Sequence, residues 1–93
     1  MIASFADRET EALFRRDRVK RIDPRIQRPA LRKLRYLDSA ATLDDLRAPP
    51  GNRLEALSGN RAGQHNTRVN DQWRIVFVWR NGRAHDVSIV DYH

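Results

Sequence analysis

The segment Ala48–Gly51 puts two consecutive prolines and a glycine between two parts of the chain that have different hydrophobic periods. Proline restricts φ and lacks a backbone N–H group, so regular helices and strands end at such a segment. Apolar residues recur at helical spacing before it and alternate with polar residues after it. The sequence therefore predicts a helical first part and a strand-rich second part, and its 93 residues predict one domain spanning residues 1–93.

The first part begins with a short apolar stretch, Ile2–Ala6, which predicts an opening strand. Asp7 follows as a candidate N-cap, because its carboxylate can accept a hydrogen bond from the backbone of a first helical turn. The predicted first helix ends near Arg16–Arg18 and carries three apolar residues, Ala12, Leu13 and Phe14.

A second helix is predicted after Asp23, with Pro24 in its first turn, where proline is favoured. Pro29 is unfavourable inside a helix, which leaves open the alternative that regular helix begins only there. The predicted buried face recurs at helical spacing and comprises Ile26, Ala30, Leu34, Leu37 and Ala41. Asp44–Arg47 is expected to add one short turn.

Four strands are predicted in the second part: Arg53–Leu57, Gln64–Val69, Trp73–Trp79 and Ala84–Asp91. The pair Asn81 and Gly82 predicts a two-residue hairpin turn, which needs positive φ, and Asn70 with Asp71 is a second candidate. Two helices followed by an antiparallel meander predict an α+β fold with the helices packed on one face of the sheet. The opposite surface of the sheet, the open face, is left available for function.

A regular turn at Asn81 and Gly82 pairs Arg74 with Ile89. Side chains alternate along a strand, so this register assigns to the core the bulkier set, Trp73, Ile75, Phe77 and Trp79. The predicted open face carries Arg74, Val76, Val78, His85, Val87, Ile89 and Asp91. Asp91 is then a diagonal neighbour of Arg74, although a single bulge would invert part of this arrangement.

Alternation in the first strand of the meander directs Glu55 to the open face as well. His93 follows on the side of Asp91 if the last strand stays regular, whereas Tyr92 points elsewhere unless the strand twists. The other histidines, His65 and His85, are interpreted as structural or solvent-facing.

The formal net charge is +6, and arginine supplies most of the positive charge. A basic surface attracts polyanions and guanidinium groups bind phosphate at two points, so nucleic acid is the favoured partner over a surface that is basic for solubility alone. The absence of cysteine excludes disulfides and thiolate metal sites and suits the reducing cytoplasm. No apolar run reaches membrane-spanning length, and no signal-peptide pattern opens the chain.

RNA can be cut without a metal ion when a base activates the ribose 2′-hydroxyl, cations stabilise the charge on phosphorus and an acid protonates the leaving oxygen. Residues of these types on or near the open face are Glu55, Arg74, Asp91, Tyr92 and His93. Each also has a structural interpretation: a surface ion pair of Arg74 with Asp91, a solvated Glu55 and a frayed His93. The scattered histidines and the lack of a phosphate-binding loop motif predict neither a metal site nor a cofactor.

Six short motifs occur in a fixed order along nearly the whole chain: Met1–Phe5, Ala30–Leu34, Pro49–Leu54, Leu57–Arg61, Asn70–Ile75 and Asp91–His93. In that order they resemble the HigB branch of the RelE superfamily of ribosome-dependent messenger-RNA interferases, and the last two motifs are the most specific. The resemblance implies that messenger RNA is cut in the ribosomal decoding site, which inhibits translation and growth. It also implies a HigA-type antitoxin with a helix-turn-helix domain that binds the toxin in a hetero-oligomer.

The resemblance assigns catalysis to Arg74 and to the stretch Asp91–His93. Family members often have histidine where this chain has Glu55, so either Glu55 or His93 is left as the general base. A family lysine falls at Ser58, and Arg53 or Arg61 is expected to supply its charge. The predicted RNA-binding residues are Arg53, Arg61 and Arg68.

Two other functions are compatible with the same residues. In the first, the chain is a non-catalytic RNA- or ribosome-binding module, for which variants lose affinity gradually and in a salt-dependent way. In the second, the basic face docks an acidic protein partner, for which neither RNA nor ribosomes are bound. Loss of cleavage in a folded Arg74→Ala variant distinguishes the nuclease from both.

Overall fold

A computed structural model of the chain describes residues 1–17, 19–47, 54–57 and 63–91. Its helical elements are α1 (Arg8–Phe14), α2 (Pro24–Ser39) and a short 3-10 turn (Leu43–Leu46). Its strands are β1 (Glu55–Ala56), β2 (Gln64–Arg68), β3 (Trp73–Arg80) and β4 (Arg83–Asp91). The strands form one antiparallel sheet in the order β1-β2-β3-β4, and the helices pack on one face, which confirms the predicted α+β fold. No helix in these ranges is long and apolar enough to cross a membrane.

The segment before α1 runs parallel to β4 but does not form the continuous strand that was predicted. Two isolated bridges join it to β4, Ile2 with Ala84 and Phe5 with Val87. The backbone N–H of Ala6 donates to the carbonyl of Val87 at 2.9 Å, and that of Val87 donates to Ser4 at 3.1 Å. The two contacts lie on either side of an irregularity in β4, and the ladder between them is interrupted.

Both helices begin at an aspartate N-cap, as the sequence predicts for Asp7; for the second helix the sequence predicts only a start after Asp23. The Asp7 carboxylate accepts a hydrogen bond from the backbone N–H of Thr10 at 2.7 Å, and Asp23 accepts from that of Arg25 at 2.9 Å. Helix α2 starts at Pro24 and continues through Pro29, so the alternative of a helix that begins only at Pro29 is wrong. The helix tolerates Pro29 because its length and its buried face outweigh one missing hydrogen bond.

The apolar stripe of α2 packs against the sheet through four of the five predicted residues, Ile26, Ala30, Leu34 and Leu37. The fifth, Ala41, is exposed, and Ala40 is buried instead. Helix α2 ends at Ser39 and Ala40 adopts an extended conformation, so the 3.6-residue period no longer applies at Ala41. The predicted short turn after the helix is confirmed as the 3-10 turn.

The hairpin between β3 and β4 has the predicted turn, with φ of +53° at Asn81 and +74° at Gly82. Its register agrees with the prediction as far as the pair Val78 and His85, and then shifts by one residue. Asp86, with φ of +53°, is the extra residue of a β-bulge in β4.

The bulge corrects the predicted faces of β4. Ile89 lies opposite Ile75, and both Ile89 and Val87 are buried in the core beneath the helices, not on the open face. One extra residue inverts the alternation of every side chain that follows it. The prediction holds on β3, where Ile75 and Phe77 are fully buried in the core.

The connection between β2 and β3 is also different from the prediction. Neither Asn70 nor Asp71 has positive φ, and the backbone N–H of Val69 already donates to Trp73 at 2.9 Å. The side-chain Oδ1 of Asn70 accepts from the backbone N–H groups of Gln72 and Trp73 at 2.8 and 2.7 Å. A side chain therefore closes a four-residue connection where a two-residue turn was predicted.

Candidate functional site

The open face is built from three rows of side chains that lie opposite one another on neighbouring strands. The central row is Glu55, Asn66, Val76 and Ser88. The row at the β2–β3 connection is Arg68, Arg74 and Val90, and the row towards the Asn81 turn is Gln64, Val78 and His85. The sheet thus gathers a carboxylate, two amides, a hydroxyl group, two guanidinium groups and an imidazole on the surface that faces away from the helices.

Arg74 lies on this open face, as predicted, near the start of β3. It is flanked by Arg68 on β2 and by Val90 on β4. The residue is half-buried, and the Nε and Nη1 atoms of its guanidinium group are shielded from solvent. A shielded guanidinium group interacts more strongly with an anion than one in bulk water, because the local dielectric constant is lower.

Glu55 also lies on the open face, as predicted, and is exposed. It lies opposite Asn66 on β2, while Arg74 lies beyond β2 and one row along. Strand spacing and rise place the Cα atoms of Glu55 and Arg74 about 12 Å apart. Their long side chains extend from β1 and β3, on either side of β2.

Arg68 is directly opposite Arg74, so two guanidinium side chains share one row. Like charges in such a pair are destabilising on a sheet unless an anion compensates them. Asp71 supplies part of this compensation through a short ion pair with Nη2 of Arg68. Two guanidinium groups in one row can together bind the oxygens of a phosphate group.

Asp91 does not lie on the open face, which corrects the prediction of a diagonal neighbour of Arg74. After the bulge it is opposite Trp73, and its Oδ2 accepts a hydrogen bond from Nε2 of Gln72 at 3.0 Å. The bulge at Asp86 is the cause, because it moves every odd-numbered residue of β4 beyond it to the helix-facing side. Four other predicted site residues lie outside the described ranges: Arg53, Arg61, Tyr92 and His93.

The two described histidines are on different faces. His85 is on the open face, two rows from Arg74. His65 is on the helix-facing side, where its ring stacks on Phe77 with centroids 6.0 Å apart. Burial lowers the pKa of His65 below its ordinary value, and the positive charge of Arg47 adds to this effect. Neither histidine adjoins Arg74, so within the described part of the chain Glu55 is the acid–base group closest to it on this face.

Asn66 is the residue of the open face that the sequence analysis missed. It is fully buried at the centre of β2, between Glu55 and Val76. A signal was available, because Asn66 alternates with Arg68 and is therefore on the same face. Asparagine is also uncommon in the middle of a strand.

In the described ranges, no three His, Cys, Asp or Glu side chains are grouped closely enough to bind a metal ion. Among the described residues, the three rows of the open face have seven polar side chains that can contact a substrate: Glu55, Gln64, Asn66, Arg68, Arg74, His85 and Ser88. Together they can bind an anion, accept a proton and form neutral hydrogen bonds.

Comparison with known proteins gives a consistent result. Residues 3–93 match the family model described as the RelE-like toxin HigB of type II toxin–antitoxin systems. The chain is 42% identical over 85 residues to the toxin HigB-1 of Vibrio cholerae, covering 90% of each chain. It is 28% identical over 93 residues to the endoribonuclease HigB of Proteus vulgaris, covering the whole of both.

Solved structures show the same fold. The crystal structure of YafQ from Escherichia coli superimposes with a TM-score of 0.57 at 14% sequence identity, covering 98% of this chain and 93% of YafQ. A mutant of YafQ in which one histidine is replaced by glutamine gives a TM-score of 0.54, again covering 98% of this chain and 93% of the YafQ chain. At this level of identity, the likeness concerns the arrangement of helices and strands.

Proposed function

The chain belongs to the HigB-like family of toxins from type II toxin–antitoxin systems, and from this membership we propose that it is a ribosome-dependent endoribonuclease that cuts messenger RNA. The observation that carries the proposal is the placement of Arg74, half-buried on the open face, with Glu55 across one intervening strand. This arrangement supplies an anion-binding group and a proton acceptor on either side of β2.

In the proposed reaction, Arg74 and Arg68 bind the non-bridging oxygens of the scissile phosphate. Glu55 accepts the proton of the ribose 2′-hydroxyl, and the 2′-oxygen then forms a bond to phosphorus. The bond from phosphorus to the 5′-oxygen breaks, and a general acid gives its proton to that oxygen. The products are a 2′,3′-cyclic phosphate and a 5′-hydroxyl end, and no metal ion or cofactor is needed.

The general acid is proposed from the resemblance as Tyr92 or His93, and His93 is the alternative to Glu55 as the base. Asp91 has a different proposed role, because it lies on the other face of the sheet. Its hydrogen bond with Gln72 ties the end of β4 to the β2–β3 connection. We therefore assign Asp91 to positioning the residues that follow it.

The family implies a cognate antitoxin as the partner of this toxin. We propose that the antitoxin is a helix-turn-helix protein of the HigA type, that toxin and antitoxin form a hetero-oligomer, and that the released toxin acts on ribosomes in the cytoplasm. In addition to Arg68, Arg53 and Arg61 are proposed to contact RNA.

Primer-extension mapping of cellular transcripts after induced expression tests the proposed activity. Wild type is expected to produce new 5′ ends within codons and to arrest growth, whereas Arg74→Ala produces neither. Arg25→Ala is the matched control, since it removes the same charge from a solvent-exposed pair with Asp23 at the start of α2. Wild type that binds ribosomes in a salt-dependent way without creating new ends would instead identify a non-catalytic binding module.

A further inference from the structure

Asn66 occupies the centre of the proposed active site. Strand pairing places it directly between Glu55 and Val76 in the central row. Arg74 pairs with Arg68, two residues further along β2, and is therefore a diagonal neighbour of Asn66. The amide consequently lies between the proposed proton acceptor and the proposed phosphate-binding group.

The amide of Asn66 is buried without hydrogen bonds. The residue has no exposed surface, and neither Oδ1 nor Nδ2 has a hydrogen-bond partner among the described groups. Buried polar side chains usually have a hydrogen-bond partner. Thr10, which is equally buried, has one, because its Oγ1 accepts a hydrogen bond from the backbone N–H of Ile89 at 3.0 Å. Leaving an amide buried and unpaired costs free energy, so the packing of the folded chain does not explain Asn66.

A carboxamide provides one acceptor and one pair of donors on adjacent atoms. The ribose 2′-hydroxyl of RNA has matching properties, since it both donates and accepts and is absent from DNA. In the proposed reaction this hydroxyl lies between the proton acceptor and the bound phosphate. That is the position of Asn66 between Glu55 and Arg74.

We propose that the side-chain amide of Asn66 forms a hydrogen bond with the 2′-hydroxyl of the nucleotide 5′ to the scissile bond. This inference rests on the proposed nuclease function and names a further substrate-binding residue for it. Because the side chain has no exposed surface in the unbound chain, substrate binding at Asn66 requires displacement of the groups that bury it. The hydrogen bond orients the attacking hydroxyl towards phosphorus and contributes to the selection of RNA over DNA.

The test compares wild type with Asn66→Val and Asn66→Thr, which have similar shapes and differ by one hydroxyl group. Each is measured with ribosomes carrying one of two messages, which are identical except that the second has a 2′-deoxy nucleotide 5′ to the cleavage site. Affinity is read from the fluorescence of the labelled message, which does not require cleavage. Single-turnover cleavage of the first message and thermal unfolding are measured alongside.

Wild type is expected to bind the all-ribose message about 5- to 10-fold more tightly than the deoxy message, which corresponds to one neutral hydrogen bond. Asn66→Val is expected to bind both messages equally and to cleave at least about 10-fold more slowly, without any loss of thermal stability. Asn66→Thr keeps a donor and an acceptor, so part of the preference for the ribose message is expected to remain.

The inference is overturned if Asn66→Val keeps the preference of wild type for the ribose message, or if Asn66→Thr behaves like Asn66→Val in every assay. Failure of the nuclease proposal has a different signature, in which wild type binds the all-ribose message on ribosomes but does not cut it. Arg74→Ala separates the two proposals further. It is expected to abolish cleavage by weakening the phosphate contact, while the ratio of the affinities for the all-ribose and deoxy messages stays unchanged.

Discussion

Arg74 lies opposite Val90 on the β3–β4 hairpin, one residue further along the chain than a regular hairpin with the same turn would place its partner. The bulge at Asp86 produces this shift. As a result, Val90 shares the open face with Arg74, while Ile89 is buried under the helices. One residue in the left-handed region of φ therefore decides which side chains of β4 accompany the proposed catalytic arginine.

Substitution of Glu55 tests whether it is the general base. Glu55→Gln is expected to lower the single-turnover cleavage rate by about 10²- to 10⁴-fold, since the amide cannot accept the proton. Glu55→His restores the residue type that the family often has here. It is expected to recover activity with an acidic limb of the pH–rate profile nearer to neutral pH, where imidazole ordinarily titrates. Full activity of Glu55→Gln would transfer the role of base to His93.

The positive φ of Asp86 in the bulge predicts that glycine at this position is less destabilising than valine. The free energy of unfolding of Asp86→Gly is expected to lie within about 1 kcal/mol of the wild-type value, because glycine adopts a φ of +53° without a steric penalty. Asp86→Val is expected to lose about 1–2 kcal/mol, since a branched side chain is disfavoured in this region. Urea unfolding of the two variants provides the measurement, and equal stabilities would contradict the assignment of strain to Asp86.

Deletion of Asp86 tests the bulge in a second way. Removing the extra residue moves every later residue of β4 back by one position, so a regular register would still pair Ile89 with Ile75 and keep Val87 and Ile89 in the core. We therefore expect this variant to keep a cooperative transition in thermal unfolding. Loss of that transition would show that the fold requires the bulge itself, and not only the faces to which it assigns these side chains.

The buried hydrogen bond between Thr10 and Ile89 predicts a large effect for a small change. Thr10→Val leaves the backbone N–H of Ile89 without its acceptor and is expected to reduce the free energy of unfolding by about 1–3 kcal/mol. Thr10→Ser keeps the hydroxyl group and is expected to be closer to wild type. Denaturant titration compares the three proteins. A Thr10→Val variant as stable as wild type would show that this hydrogen bond does not stabilise the fold.

His65 predicts that acid destabilises the fold. Its pKa is lowered in the folded chain, mainly by burial, so the unfolded chain binds the proton more tightly. Stability contributed by the neutral imidazole is complete well above the ordinary pKa of 6.5 and is lost as pH falls from there through the folded-state pKa. His65→Phe keeps a ring against Phe77 and is expected to remove this component of the pH dependence of unfolding. Identical pH dependence of the two proteins between about pH 8 and pH 5 would exclude His65 as its source.

Much of the candidate site follows from local patterns in the sequence. Glu55 and Arg74 are assigned to the open face by strand alternation, and both assignments are confirmed because no irregularity lies within β1 or in β3 near Arg74. Asp91 is assigned to the wrong face because the pattern of β4 contains no signal strong enough to place a bulge. Asn66 is missed because its burial depends on what surrounds it and not on its neighbours in the sequence.

The sequence by itself determined the elements that depend on short-range interactions: the helix cap at Asp7, the start of α2 after Asp23, the apolar stripe of α2 and the turn at Asn81. Only the tertiary structure decided the register of β4, because the bulge is held by contacts with a distant segment. The backbone N–H of Asp86 donates to Oγ of Ser4, and Val87 exchanges backbone hydrogen bonds with the segment that precedes α1. Such contacts form only when the two ends of the chain come together, so no local period in the sequence can reveal them.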